Sequence, residues 1–145
     1  MRVVCTIGFT KKTLEHFVTL LRDAGVTTVA DVRLRNTSQL AGWSKYPDLR
    51  FLLQDGFQIG YEHHPELAPT ADILHRYKKD HNWARYEVEF RRLLEDRNPE
   101  AECRQIVDHG TICLLCTEPT PDRCHRRLVA EYILEIDRQV QIRHL

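Results

Sequence analysis

The run VVCTIGFTKKTLEHFVTLLRDAGVTTVADV, residues 3–32, carries a strand, a helix and a second strand in succession. Val3 to Ile7 is short, apolar and β-branched, the composition of a strand buried on both faces. Thr10 is the expected N-cap of a helix in which Leu14, Phe17, Val18 and Leu21 recur at helical spacing. Gly25 stops that helix, and Val26 to Val32 is the second strand. A strand–helix–strand opening predicts a parallel pair with a right-handed crossover.

The same alternation continues. Arg33 to Lys45 is polar and aperiodic, a long loop with Gly42 and Trp43 near its middle. Pro47 to Asp55 is a short helix ending at Gly56, and Phe57, Ile59 and Tyr61 alternate as a third strand. Thr70 and Asn82 are N-caps of two further helices, and Trp83, Tyr86, Phe90, Leu93 and Leu94 follow the helical period in the second. Asn98-Pro99 predicts another helix start, with Gly110 as its end. Thr111 to Cys116 is the most hydrophobic run and is expected as a central strand. Thr120-Pro121 is expected to open a helix burying Leu128, Val129, Tyr132, Ile133 and Ile136, and Val140 to Arg143 is a last edge strand. The pattern predicts one α/β domain over residues 1–145, three layers deep, with a mostly parallel sheet of four or five strands.

Composition bounds the function. The 145 residues contain 21 Lys plus Arg and 21 Asp plus Glu, so no net field draws the chain to nucleic acid or to an anionic membrane. No apolar run approaches transmembrane length, and the N-terminal run is too short for a signal-peptide core. Five cysteines without an export signal read as reduced thiols, which places the protein in the cytoplasm.

In an open parallel sheet, ligands bind outside the carboxyl ends of the strands. Gly8–Lys11, Asp31–Arg35, Tyr61–His64 and Cys116–Arg127 should meet there. The last, CTEPTPDRCHRR, is richest in reactive groups. Cys116 ends the buried strand, and Cys124 and His125 are expected in the first turn of the next helix, where amides and the macrodipole favour an anion. Arg123, Arg126 and Arg127 add positive charge against Glu118 and Asp122.

Three readings follow. Cys116 or Cys124 is a nucleophile, with His125 as proton carrier, Asp31 and Glu118 as acidic partners, and Arg33 and Arg126 as anion binders. Alternatively the thiols and His125 bind a metal. Seven residues between the cysteines, and adjacent Cys124 and His125 pointing differently on a helix, argue against that, so neither metal nor cofactor is expected. In the third, the cysteines are small buried hydrophobes, the favoured reading for Cys5, Cys103 and Cys113. The spacing does not match a Cys-x5-Arg phosphatase loop, because Asp122 is the sixth residue after Cys116. Gly8 would let backbone amides approach a ligand. The Trp83 and Tyr86 stripe is expected in the core rather than as a stacking platform.

TIGFT, ADVR, YEHHPELAPT and LLCTEPTPDRCHRRLVAEYI, in that order, resemble the family catalogued as domain of unknown function 488. The specific part is Cys-x-Glu followed by Pro-x-x-Cys-His-Arg. The resemblance implies a compact α/β domain with its motifs on one side of the sheet, and it brings no reaction. It marks Gly8, Asp31, Arg33, Cys116, Glu118, Cys124, His125 and Arg126. The chain departs from the family pattern at Phe9, where the first motif generally has histidine, and at Arg35 to Ser38, which lacks the usual proline. If that histidine takes part in chemistry elsewhere, this chain either does without it or borrows His63 or His64 in its place.

Together these readings predict an enzyme acting on a small anionic or nucleotide-like molecule. The alternative is a non-catalytic module that binds such an anion, nucleotide or nucleic-acid end through the same pocket.

Overall fold

Val4 to Gly8 lies in register against Ile112 to Cys116, and this parallel pair is the axis of the molecule. The computed structural model describes residues 2–37 and 42–145. Residues 38–41, which include the Ser38 end of the second departure noted above, lie outside them. In chain order the elements are β1 (Arg2–Gly8), α1 (Leu14–Asp23), β2 (Thr28–Asp31), α2 (Asp48–Phe51), β3 (Gly60–His63), α3 (Ala71–Asp80), α4 (Trp83–Arg97), α5 (Glu100–Val107), β4 (Ile112–Cys116), α6 (His125–Ile136) and β5 (Val140–His144). The sheet has five strands, all parallel, in the order β3-β2-β4-β1-β5.

Alternate residues of the strands face two separate cores, as expected for a three-layer α/β fold. Cys5, Ile7, Val29, Cys113 and Leu115 pack against Phe17, Val18 and Leu21 of α1 and against Leu49 of α2. Val4, Ala30, Ile112, Leu114 and Cys116 pack against α4, α5 and α6 through Phe90, Leu94, Ile106, Leu128 and Ile133. The chain leaving β2 therefore crosses to one face and the chain leaving β4 to the other. Between two such diverging exits a crevice opens at the carboxyl edge.

Several local expectations need correction, each for an identifiable reason. Thr13, not Thr10, caps α1, its hydroxyl accepting from the amide of His16 at 3.1 Å. Thr10 instead donates to the Thr117 carbonyl at 2.6 Å, tying the first strand-end loop to the last. Asn98 does not open α5. It closes α4 in the left-handed conformation at φ 48°, a backbone state that asparagine tolerates well, and α5 starts after Pro99. Leu52–Gly56 winds into a π-helical turn, so β3 begins only at Gly60. Thr120-Pro121 does not start α6, whose N-cap is Cys124. Pro119 and Pro121 hold the residues before them extended and remove two amide donors, so residues 117–123 stay a loop.

Thr70 and Asn82 do cap α3 and α4, through hydrogen bonds from Ile73 and Arg85 amides. Trp43 in the long loop packs on Phe9 and Phe17, with ring centroids 6.3 and 5.0 Å away. Among the described residues no helix is long and apolar enough to cross a membrane.

Candidate functional site

The strand register sets Gly8 beside Cys116, and Asp31 beside Leu115 on one side and His63 on the other, so all four anticipated segments end at one edge. They do not all share a cavity. A cleft of about 770 Å³ lies at that edge, within the usual size of small-molecule sites. Arg33, Leu34 and Arg35 after β2 and Cys116 to Thr120 and Asp122 to His125 after β4 contribute to its wall, Pro119 excepted. Pro69 and, from the α3–α4 hairpin, Leu74, Tyr77, Lys78, His81, Trp83 and Tyr86 complete it.

Cys116 and Cys124 are 6% and 3% exposed, at the floor of this cleft. Together with a ring nitrogen of His125, their sulfurs lie within 4.8 Å of one another. The convergence has a local cause. Cys124 stands at the N-cap with extended angles, φ −141° and ψ 137°, rather than inside the helix. Neighbouring side chains of an extended residue and a helical one need not splay by a helical step, so Cys124 and His125 both reach Cys116. This corrects the expectation that they point apart.

His125 is held tightly. One ring nitrogen, Nε2, lies 2.7 Å from the Val32 carbonyl, which can only accept, so Nε2 carries a proton. Nδ1 faces the sulfurs, 3.5 Å from Cys116 Sγ. An aromatic column along α4 fixes the ring from behind: Trp83 stacks on Tyr86, Tyr86 on Phe90, and Phe90 meets His125 edge-on at 5.4 Å. Trp83 is packed by Tyr86 and by the Arg127 guanidinium at 5.9 Å. The stripe is therefore core packing whose outer end also walls the cleft.

The Cys116 thiol donates to the Cys124 sulfur, and this bond holds Cys124 well below the usual thiol range. His125 and the charge of Arg126 act in the same direction against the cost of burial. The helix N-terminus favours a thiolate at that position as well. Cys116 is correspondingly pushed up, by the same hydrogen bond and by burial. The two sulfurs therefore titrate as a pair, Cys124 shifted down and Cys116 up.

A preformed tetrahedral metal site would look different. With a metal on Nδ1, ordinary zinc bond lengths keep a ligating sulfur about 4.5 Å or more from the far ring nitrogen. Cys116 Sγ lies 3.8 Å from Nε2 and 3.5 Å from Nδ1, alongside the ring. The arrangement is that of two hydrogen-bonded sulfurs beside an imidazole.

Arg33 is 2% exposed and faces the cleft. Its Nε and Nη2 grip the Asp31 carboxylate at 2.9 and 2.8 Å, and its Cζ lies 5.3 Å from the Phe9 ring centroid. Nη1 is buried with no hydrogen-bond partner. Asp31 does not reach the cleft. Its oxygens are taken by Arg33 and by the Tyr61 hydroxyl, which in turn accepts from Asn36 at 3.1 Å. Burial and that carboxylate push the Tyr61 phenol well above its ordinary range, so it remains a donor. Asp31 orients Arg33.

Gly8 and Arg126 lie apart from the cleft wall. A Cβ on Gly8 would sit 1.6 Å from the Glu118 carbonyl oxygen, so this glycine admits the protein's own loop rather than a ligand. Arg126, fully buried, donates from Nη1 to that carbonyl at 2.6 Å and from Nε to Thr6 at 3.3 Å, pinning the loop to β1. Glu118 is exposed on the cleft rim. His63 is outside the cleft and lies 2.8 Å from the Arg33 carbonyl, while His64 is clamped between Glu62 and Glu66. Neither brings an imidazole to the sulfurs.

Tyr77, Lys78 and His81 were not anticipated. They stand on the exposed end of α3, and only the packing of the hairpin across β4 brings them to the cleft. Cys5, Cys103 and Cys113 are buried thiols, Cys103 pushed up to about 12 mainly by burial.

A family model described as domain of unknown function DUF488 matches residues 13–133. It includes every residue of the cleft wall. None of the curated proteins matches the chain, and none of the solved structures does.

Proposed function

The chain belongs to the domain of unknown function 488 family, and from that premise we propose that it is an enzyme acting on a small anionic, nucleotide-like molecule held in the cleft. The observation that carries this reading is buried Arg33, with an Nη1 that lacks a hydrogen-bond partner, on the wall of the same cavity as the two sulfurs and the imidazole. A guanidinium nitrogen out of water with no acceptor is costly unless a ligand supplies one. Arg33, Arg35, Lys78 and Arg123 outnumber Glu118 and Asp122 on the wall, which favours an anion, and Tyr77 and Tyr86 add aromatic surface.

In this reading Arg33 binds the anionic group and Cys124 attacks an electrophilic centre as thiolate. Cys116 stabilises that thiolate with its hydrogen bond, and His125 moves the proton. Glu118 stands on the rim, and Asp31 acts through Arg33. Isothermal titration with inorganic phosphate and nucleoside monophosphates tests the recognition step. Arg33→Ala should weaken binding by at least about tenfold, the scale of one charge-assisted hydrogen bond. Equal binding by wild type and Arg33→Ala would remove the basis for this reading.

The depth of the sulfurs favours a second reading, a binding module without covalent chemistry. It expects a Cys116→Ser, Cys124→Ser double variant to bind the same anions and to differ from wild type in no turnover assay.

A further inference from the structure

Five cysteines are free, yet they divide sharply by surroundings. Cys5 and Cys113 face each other across β1 and β4 in a fully buried core, and Cys103 is sealed on the buried face of α5. Cys116 and Cys124 alone among the described cysteines touch each other at a cavity open to solvent. Cys116 is fixed on a central strand, whereas Cys124 terminates a seven-residue loop containing two prolines. The loop side is the one that can adjust, and the two sulfurs already lie within 4.8 Å of one another.

We infer that Cys116 and Cys124 are an oxidative modification site, a dithiol that hydroperoxides convert reversibly to a disulfide. The inference concerns regulation of the site proposed above and rests on Cys124 being its reactive thiolate. The Cys124 sulfur attacks one peroxide oxygen and the O–O bond breaks. The other oxygen leaves as hydroxide or alkoxide and takes a proton from solvent to become water or alcohol, and Cys124 becomes a sulfenic acid. Cys116 sulfur then bonds to Cys124 sulfur. The sulfenic hydroxyl departs with the Cys116 proton as water. Two thiols are oxidised by two electrons and one peroxide is reduced. A small dithiol reverses the step by exchange.

The geometry supplies a resolving thiol already in contact with the attacking one, so a sulfenic acid at Cys124 has a partner before a second peroxide arrives. The disulfide would consume the thiolate, separate His125 from its sulfur partner, and leave Arg33 with Asp31 undisturbed. Oxidation should therefore switch off thiol chemistry while anion binding persists.

The test uses the purified full chain, hydrogen peroxide and mass spectrometry. Wild type should lose about two mass units, the two thiol hydrogens, with a cross-link mapping to Cys116 and Cys124 and full recovery under dithiothreitol. Cys116→Ser should stop at a sulfenic acid on Cys124 that a cyclic diketone probe captures, and Cys124→Ser should lose at least tenfold in peroxide reactivity. A cross-link through another cysteine would overturn the inference, as would Cys116 and Cys124 that stay alkylatable after peroxide. The readout needs no substrate. Its failure leaves the Arg33 titration standing, and failure of that titration leaves the cross-link standing.

Discussion

Arg33 and Asp31 form a two-pronged, fully enclosed ion pair, reinforced by the Arg33 amide donating to Asp31 Oδ1 at 3.1 Å. The residues are two apart at a strand end, so their side chains share a face and the fork needs no backbone distortion. With Nε and Nη2 committed, the guanidinium plane is fixed and Nη1 is aimed by default. Asp31→Asn should lower stability by about 3–5 kcal/mol, the cost of stranding a buried charge. Denaturant titration measures it. In the protein that still folds, phosphate binding should fall as in Arg33→Ala, because the anchor loses its orientation.

The thiol pair makes a pH prediction whose direction is set by the hydrogen bond. Cys124 is an acid held below the usual thiol range, so its thiolate is present at pH values where an ordinary thiol, with a pKa of about 8.5, is protonated. Iodoacetamide labelling of Cys124 should therefore stay fast at pH values where an ordinary thiol has become slow. Cys116→Ala removes the donor, which raises the Cys124 pKa and moves the labelling curve to higher pH. A curve that does not move would show that Cys116 has no part in stabilising the thiolate.

Gly8 and Gly25 make a paired comparison. Gly25 sits at φ 70° with open space around its Cβ position, so Gly25→Ala should cost about 1–2 kcal/mol from backbone strain alone. At Gly8 the added methyl would overlap the Glu118 carbonyl, which Arg126 holds from the other side. Gly8→Ala should exceed the ordinary overpacking cost of about 1–3 kcal/mol and displace the 117–123 loop. Thermal melts of the two variants, run together, separate the effects.

His144 links the last strand to pH. Its Nδ1 lies 2.7 Å from the Thr6 hydroxyl, and burial, then the charge of Arg126, lowers its pKa from the ordinary 6.5. The unfolded chain therefore binds a proton more readily as pH falls through about 6.5, and stability drops with pH in that window. His144→Asn should flatten that part of the slope. Urea midpoints at pH 7.5 and pH 5 give the measurement.

The layer order and the parallel sheet were legible because β-branched runs, glycine stops and amphipathic helices all repeat at short range. The same holds for the site's core. Cys116 at the end of the most apolar strand and Cys124-His125 near a helix start are positions that any right-handed parallel sheet brings to one edge. Local signals that competed were misread. Asn98 serves the helix behind it rather than the one ahead, and two prolines delayed α6 past the threonine that looked like its cap. Long-range contributions left no local signature. Tyr77 and Lys78 reach the cleft through hairpin packing, and Gly8 faces its own loop because Arg126, 118 residues later, pulls that loop inward.

Val32 stands between Asp31 and Arg33, and its carbonyl is the acceptor that orients His125. The peptide that steers the imidazole therefore belongs to the same three-residue segment that presents the guanidinium. A ligand pulling on Arg33 would tug the histidine's tether, so affinity and reactivity are mechanically joined at this point. Variation in ligand preference should accumulate instead at Tyr77, Lys78 and His81, which line the cleft from the α3 end.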